Sequence, residues 1–200
     1  MNTSPDFHSL IDDLSTKGYA FSENFFSSDL CQIIKNESSN IPFKEATIGK
    51  GNEQKRVNDI RRDAIYWLNS DSPTVFQQYL NYMDQYRQIL NRELYLGLNS
   101  YEGHLAKYPP GAFYKKHLDQ HRGSKDRVIT TILYLNAGSD KNSGGEIRLY
   151  QKDHPELIER DIPPSVGAFL TFLSDEIYHE VLTSHFERYS LTGWMRINHL

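Results

Sequence analysis

The chain has 200 residues, of which 38 % are hydrophobic and 24 % charged, with a net charge of −4. This profile excludes a disordered polymer and gives no basic excess for binding nucleic acid or an anionic membrane. Cys31 is the only cysteine, which excludes an intrachain disulfide and a thiolate metal cage.

The first seventeen residues are polar and carry Asp6, Asp12 and Asp13, without the basic end and apolar stretch of a signal peptide. No run reaches the roughly eighteen apolar residues that a membrane span needs. The expectation is a cytoplasmic protein with no membrane and no nucleic-acid partner. A single domain over 1–200 is expected, since no repeat or low-complexity linker divides it.

In chain order, the first hundred residues read as mostly helical. Ser9 to Thr16 predicts a short helix stopped by Gly18, and Ser27-Ser28 can cap a second through Leu30, Ile33 and Ile34. Lys44 to Arg62 is polar and Gly/Asn-containing, and predicts a long loop of the kind that serves as a lid. Thr74 to Leu94 follows Pro73 and repeats Phe76, Tyr79, Leu80, Met83, Tyr86, Leu90 and Leu94 at three- and four-residue steps, a helix with one buried stripe. From Tyr101 the pattern shifts to short β-like runs: Phe113 to Lys116, Val128 to Leu135, Glu146 to Tyr150, Leu157 to Ile162, Gly167 to Leu173, Glu180 to Thr183 and Tyr189 to Ile197. The predicted fold is mainly β with flanking helices. A two-sheet jelly-roll core over 99–200 is buttressed by helices within 1–98.

The chemistry gathers in the second half. His117 and Asp119 end a predicted strand one residue apart, so both side chains project to the same side of an extended backbone. His179 opens a later strand, from which it can meet them across the interior. Two imidazoles and a carboxylate bind a non-haem Fe(II) by one face and leave the other face open. Arg188 begins the next strand, and an arginine aimed into a barrel needs a partner, for which a bidentate carboxylate is well shaped. Chelate, clamp and open positions describe a 2-oxoglutarate-dependent oxygenase. A zinc hydrolase could use the same ligands but has no use for Arg188. His121 follows the first two ligands too closely, and His8, His104, His154, His185 and His199 show no paired spacing.

Tyr108-Pro-Pro-Gly111-Ala-Phe-Tyr114-Lys-Lys-His117-Leu-Asp119 resembles the iron-binding segment of the prolyl 4-hydroxylase branch of Fe(II)/2-oxoglutarate dioxygenases. So do Arg127 to Asn136, Gly144-Gly145-Glu146, Pro164 to Gly167, His179-Glu180-Val181 and Arg188 to Trp194, with Ile60 to Trp67 upstream. The match looks closest to the oxygen-sensing (HIF-type) prolyl hydroxylases and their bacterial relatives, although glycine is more usual where Arg62 stands. The resemblance implies a double-stranded β-helix (jelly-roll), with Fe(II) held by His117, Asp119 and His179. It implies that Arg188 and the Tyr134 hydroxyl hold the distal carboxylate of the co-substrate 2-oxoglutarate, with Tyr108 lining that pocket and Thr192 and Trp194 shaping its floor. O2 would be the second co-substrate and ascorbate the reductant, with succinate and CO2 as co-products. Asp119 disfavours halogenation, because halogenating relatives carry a small residue there. Arg61, Asp63 and Arg127 match positions near the substrate channel. The implied substrate is a prolyl residue of an intracellular protein, hydroxylated at C4, with a translation-apparatus protein one plausible target. Two alternatives stay open: a free amino acid or small metabolite as substrate, and a non-catalytic 2-oxoglutarate- or metal-binding sensor.

Overall fold

Two antiparallel sheets face each other in the computed structural model, which describes residues 5–46, 60–120, 125–136 and 143–197. A 3-10 turn at Phe7–Leu10 leads into α1 (Ile11–Lys17) and β1 (Tyr19–Ser22). Next come α2 (Ser28–Glu37), β2 (Lys44–Glu45), β3 (Ala64–Trp67) and α3 (Thr74–Leu94). The second half supplies β4 (Ser100–Tyr108), β5 (Tyr114–His117), β6 (Arg127–Tyr134), β7 (Ile147–Tyr150), β8 (Ile158–Ile162), β9 (Phe169–Leu173), β10 (His179–Val181) and β11 (Arg188–Arg196). The major sheet runs β1-β9-β6-β11-β4-β3-β2 and the minor sheet β5-β10-β7-β8.

The helices form where their sequence signals stand. Gly18 ends α1 in the left-handed conformation at φ 79°, and the Ser27 hydroxyl accepts the Leu30 amide at the start of α2. In α3, Phe76, Tyr79, Met83, Tyr86 and Leu90 are fully buried, while Ile33 of α2 is 56 % exposed and falls outside the stripe expected for it. The largest departure is in the first hundred residues, which are not helical throughout. Three short strands from that half, β1, β2 and β3, extend both edges of the major sheet. The lid expected over Lys44 to Arg62 falls, from 47 to 59, outside the described residues.

Strand alternation divides the labour of the major sheet. Leu105, Ile129, Leu133, Leu191 and Met195 turn one way and join Phe7, Phe76, Tyr79 and Tyr86 in the apolar core beneath the helices. The Tyr101 hydroxyl links that layer to the sheet, 3.2 Å from Tyr79 of α3 and 3.1 Å from Thr131 of β6. Gly193 leaves space for the Tyr101 ring, which a Cβ would strike. The opposite face, carrying Thr130, Ile132, Tyr134, His104, Tyr108, Arg188 and Thr192, looks towards the minor sheet. The site lies there.

Candidate active site

Pairing of β5 with β10 places His117 directly across from His179, their rings 4.3 Å apart. Asp119 sits two residues beyond the end of β5. The donor atoms of His117, Asp119 and His179 all lie within 4.8 Å of one another. Among the described residues, no other group of three or more such side chains gathers this way. His117 Nδ1 lies 2.7 Å from the Lys115 carbonyl and His179 Nδ1 lies 3.1 Å from that of Ile177. A carbonyl only accepts, so each Nδ1 carries the proton and each Nε2 lone pair is left to face Asp119, at 3.4 and 3.6 Å. Tyr114 stacks on His117 at 3.7 Å, and Phe172 packs on His179 at 4.7 Å, so both rings are held by packing as well.

Burial alone would raise the pKa of Asp119, but the neighbouring His179 and His117 outweigh it and hold the carboxyl well below its usual range. His179 is pushed down to about 4, chiefly by burial and secondly by His117. At neutral pH the contact between His179 and Asp119 is therefore a neutral imidazole beside an anion, not an ion pair. That is the protonation state a divalent cation requires of its ligands.

A cavity of about 160 Å³ opens beside these three side chains. At one end Arg188 is 2 % exposed, its guanidinium 4.3 Å from the Tyr108 ring and 5.4 Å from the Tyr134 ring. Arg188 Nε and the Tyr134 hydroxyl are both buried without a hydrogen-bond partner. Burial pushes the Tyr134 hydroxyl up to about 12 despite the Arg188 charge, so it stays a donor. A buried cation and a buried donor left unsatisfied side by side fit an anionic ligand. Three donors for a metal and a cradle for a carboxylate thus share one chamber.

The comparisons with known proteins agree with this geometry. A model of the 2OG-Fe(II) oxygenase superfamily matches residues 103–196. A crystal structure of a prolyl-4-hydroxylase from Pseudomonas putida superposes with a TM-score of 0.85 at 35 % identity, covering 97 % of this chain and 100 % of that one. The chain belongs to the 2OG-Fe(II) oxygenase superfamily. A Caenorhabditis elegans hypoxia-inducible factor prolyl hydroxylase is 29 % identical over 92 % of this chain, which spans only 27 % of that relative's length. A Trichoplax adhaerens prolyl hydroxylase, solved with a hypoxia-inducible factor peptide, shares the fold with a TM-score of 0.81 at 24 % identity, covering 95 % of this chain and 88 % of that one. The fold is the double-stranded β-helix of these enzymes, and this oxygenase is a prolyl hydroxylase-like, 2-oxoglutarate-dependent dioxygenase.

The other expected residues divide in two. Arg61 lines the cavity over the Tyr114 ring at 4.5 Å, held by the Asp63 carboxylate through bonds of 2.7 and 2.5 Å. Asp63 is buried behind that pair, so its part is to fix Arg61 rather than to face the cavity. Arg127 bonds Glu102 at 2.8 Å and stacks on Trp194 at 3.5 Å. Its Nη1 also reaches the Asp119 carbonyl at 3.4 Å. Thr192 and Trp194 line the cavity, as expected.

Thr130, Ser174 and His104 were not among the expected site residues. Thr130 donates to Asp119 Oδ2 at 2.8 Å and lies 2.9 Å from the Ser174 hydroxyl. This fixes the carboxylate with Oδ1 towards His117 and Oδ2 towards His179. Thr130→Val keeps the shape and removes the donor. It is expected to weaken Fe(II) or Mn(II) binding by about 10- to 100-fold, measured by metal titration of the apo protein. Unchanged affinity would mean that Asp119 is positioned by its backbone alone. The signal for Thr130 was period two: with Tyr134 facing the cavity, Ile132 and Thr130 must as well.

His104, expected to be bland, lines the cavity at 4 % exposure. Burial pushes its imidazole down to about 3; the Asp63 charge opposes the shift, and Arg61 and Arg127 add to it. The unfolded ring takes up a proton near pH 6.5, the folded one only far below. Its contribution to stability is therefore complete above about pH 6.5 and is lost as the pH falls, by up to about 1.4 kcal/mol per unit. In the metal-free protein His104→Gln is expected to flatten the acid limb of a Tm-versus-pH curve between about pH 6 and 4. Parallel curves for the two proteins would contradict a buried neutral imidazole.

Proposed function

We propose that this oxygenase hydroxylates C4 of a prolyl residue in an intracellular, cytoplasmic protein, turning 2-oxoglutarate and O2 into succinate and CO2. The observation that carries the reading is the single chamber in which the His117/Asp119/His179 donors lie beside the unsatisfied Arg188 and Tyr134. The donor chemistry fits Fe(II), with one anion and two neutral imidazoles on one side of a cavity. When bound there, Fe(II) supplies the redox chemistry by which one O2 oxygen enters succinate and the other a substrate C–H bond.

The chain's own residues do the rest. Arg188 offers a planar fork to the distal carboxylate of 2-oxoglutarate and the Tyr134 hydroxyl donates to the same group, with the Tyr108 ring closing that end. Anchoring one end of the keto acid turns its reactive end towards the triad. Trp67, Tyr114 and Trp194 give the remaining wall an apolar, aromatic character suited to a saturated five-membered ring. Arg61 and Arg127, each held by a carboxylate, frame that wall as substrate contacts. The likeness to prolyl hydroxylases favours a prolyl residue; a free amino acid or small metabolite is the competing reading, favoured by the modest cavity volume.

The test is succinate formation by the purified protein with Fe(II), 2-oxoglutarate and ascorbate, with and without host-cell extract fractions, ribosomes among them. Mass spectrometry of the same fractions looks for a proline peptide heavier by one oxygen. Extract-stimulated turnover matched to a hydroxyprolyl site supports the proposal. Turnover stimulated only by low-molecular-weight fractions moves the assignment to a small molecule, and bound iron with no turnover points to a sensor.

A further inference from the structure

We propose that His104 recognises the main-chain amide of the substrate beside the oxidised ring, making this oxygenase selective for a peptide-bonded residue over a free amino acid. The inference rests on the protein-hydroxylase reading and names the contact that enforces it. Strand register places the residue. His104 pairs with Thr192 of β11 on one side and with Trp67 of β3 on the other, whereas Arg188 pairs with Tyr108. Four residues of strand, about 13 Å, separate the Arg188 position from the Thr192–His104 row. Asp119 is bonded by Thr130 of β6, on the opposite side of β11 from β4, so a short dicarboxylate running from Arg188 towards the metal ligands leans away from His104. Trp67 at the end of it is 46 % exposed, so His104 lies between the buried clamp and the mouth, where a substrate must enter.

Two polar atoms in this stretch have nothing to bond. His104 Nδ1 and Trp194 Nε1 are both buried without a partner, and their rings are 5.4 Å apart. An indole N–H only donates, whereas an imidazole nitrogen donates or accepts according to tautomer. The pair therefore suits a ligand that offers an acceptor and can also donate, which describes an amide. A carboxylate would suit it poorly, because the imidazole is neutral and the nearest cations are engaged elsewhere: Arg61 by Asp63 and Arg127 by Glu102. Trp67 packs on His104 at 5.0 Å and lies 6.2 Å from Trp194, so the polar pair sits within an aromatic wall. Buried inside such a wall, one hydrogen bond discriminates strongly, since a ligand lacking it leaves the protein atom unsatisfied.

His104→Phe keeps a flat ring and removes both nitrogens; His104→Gln restores a donor and an acceptor. The probe is an N-acetylated, C-amidated peptide around the proline that the wild-type enzyme oxidises, with the same proline as the free amino acid for comparison. The expected result is a rise of about tenfold in KM for the capped peptide in His104→Phe, partly reversed in His104→Gln. KM for 2-oxoglutarate does not follow it. A parallel rise in KM for 2-oxoglutarate would assign His104 to the co-substrate and overturn the proposal, as would a KM for the peptide that does not move. Wild-type enzyme that consumes 2-oxoglutarate yet oxidises only the free amino acid would overturn the protein-hydroxylase reading itself, and this inference with it.

Discussion

Asp119→Ala is expected to remove metal-dependent turnover, lowering 2-oxoglutarate consumption by more than about 100-fold. Loss of an outer partner such as Thr130 costs about 10- to 100-fold in metal affinity, and loss of the ligand itself must exceed that. Asp119 is the only anion of the three donors, so the variant faces a dication with two neutral imidazoles. Stability should move as well. The surroundings of the buried carboxylate outweigh its desolvation and hold its pKa down, so its charge stabilises the fold above the ordinary carboxylate range. The apo variant is therefore expected to melt lower than the apo wild type near neutral pH. A metal at 100 times its Kd stabilises the folded wild type by about 2.7 kcal/mol, and the variant forfeits that shift. Thermal melts with and without Mn(II) measure both. A variant that keeps the metal-dependent shift would show that Asp119 is not a ligand, whatever happens to its activity.

What the sequence made legible depended on distance along the chain. The cluster of His117, Asp119 and His179 could be read because the first two are separated by one residue on an extended segment, and the third opens a strand whose partner is that segment. Arg188 could be read because it starts β11 in a run whose period is unmistakable. Helix α3 announced itself through a stripe five turns long. The strands β1 and β3 did not, since each is four residues set among helices, without the succession of neighbouring β-like segments that marked the equally short β5 and β7. Tyr19–Ser22 is a strand because Phe169–Leu173 accepts it as an edge, and that partner is remote in sequence. His104 illustrates the same limit at the site. Nothing near it in sequence marks it, and only the register of β4 against β11 carries it to Thr192 and into the cavity. Tyr108 was singled out, and stepping back along β4 by twos reaches Ala106 and then His104, a deduction open once the strand is known to run unbroken from Ser100 to Tyr108.

Arg188 gives the second large effect, and in it stability and function should separate. Its guanidinium is 2 % exposed, and among the described residues no carboxylate lies within ion-pairing distance. The rings of Tyr108 and Tyr134 offer it their π-faces, which recover part of the desolvation cost but leave Nε unsatisfied. Removing one partner of a buried, hydrogen-bonded charge pair costs roughly 2–5 kcal/mol of binding. Arg188→Ala is accordingly expected to raise KM for 2-oxoglutarate by about 30-fold to several thousandfold. Arg188→Lys keeps the charge but not the planar fork, and should fall between the two. The folded apo protein loses an uncompensated buried cation in the alanine variant, so its Tm is expected to hold or rise. Opposite movements of affinity and stability would identify Arg188 as a residue held at a cost for its ligand. If Tm and affinity fell together, Arg188 would instead be a structural cation of the β4–β11 pair, and the carboxylate clamp would have to be sought elsewhere in the chamber.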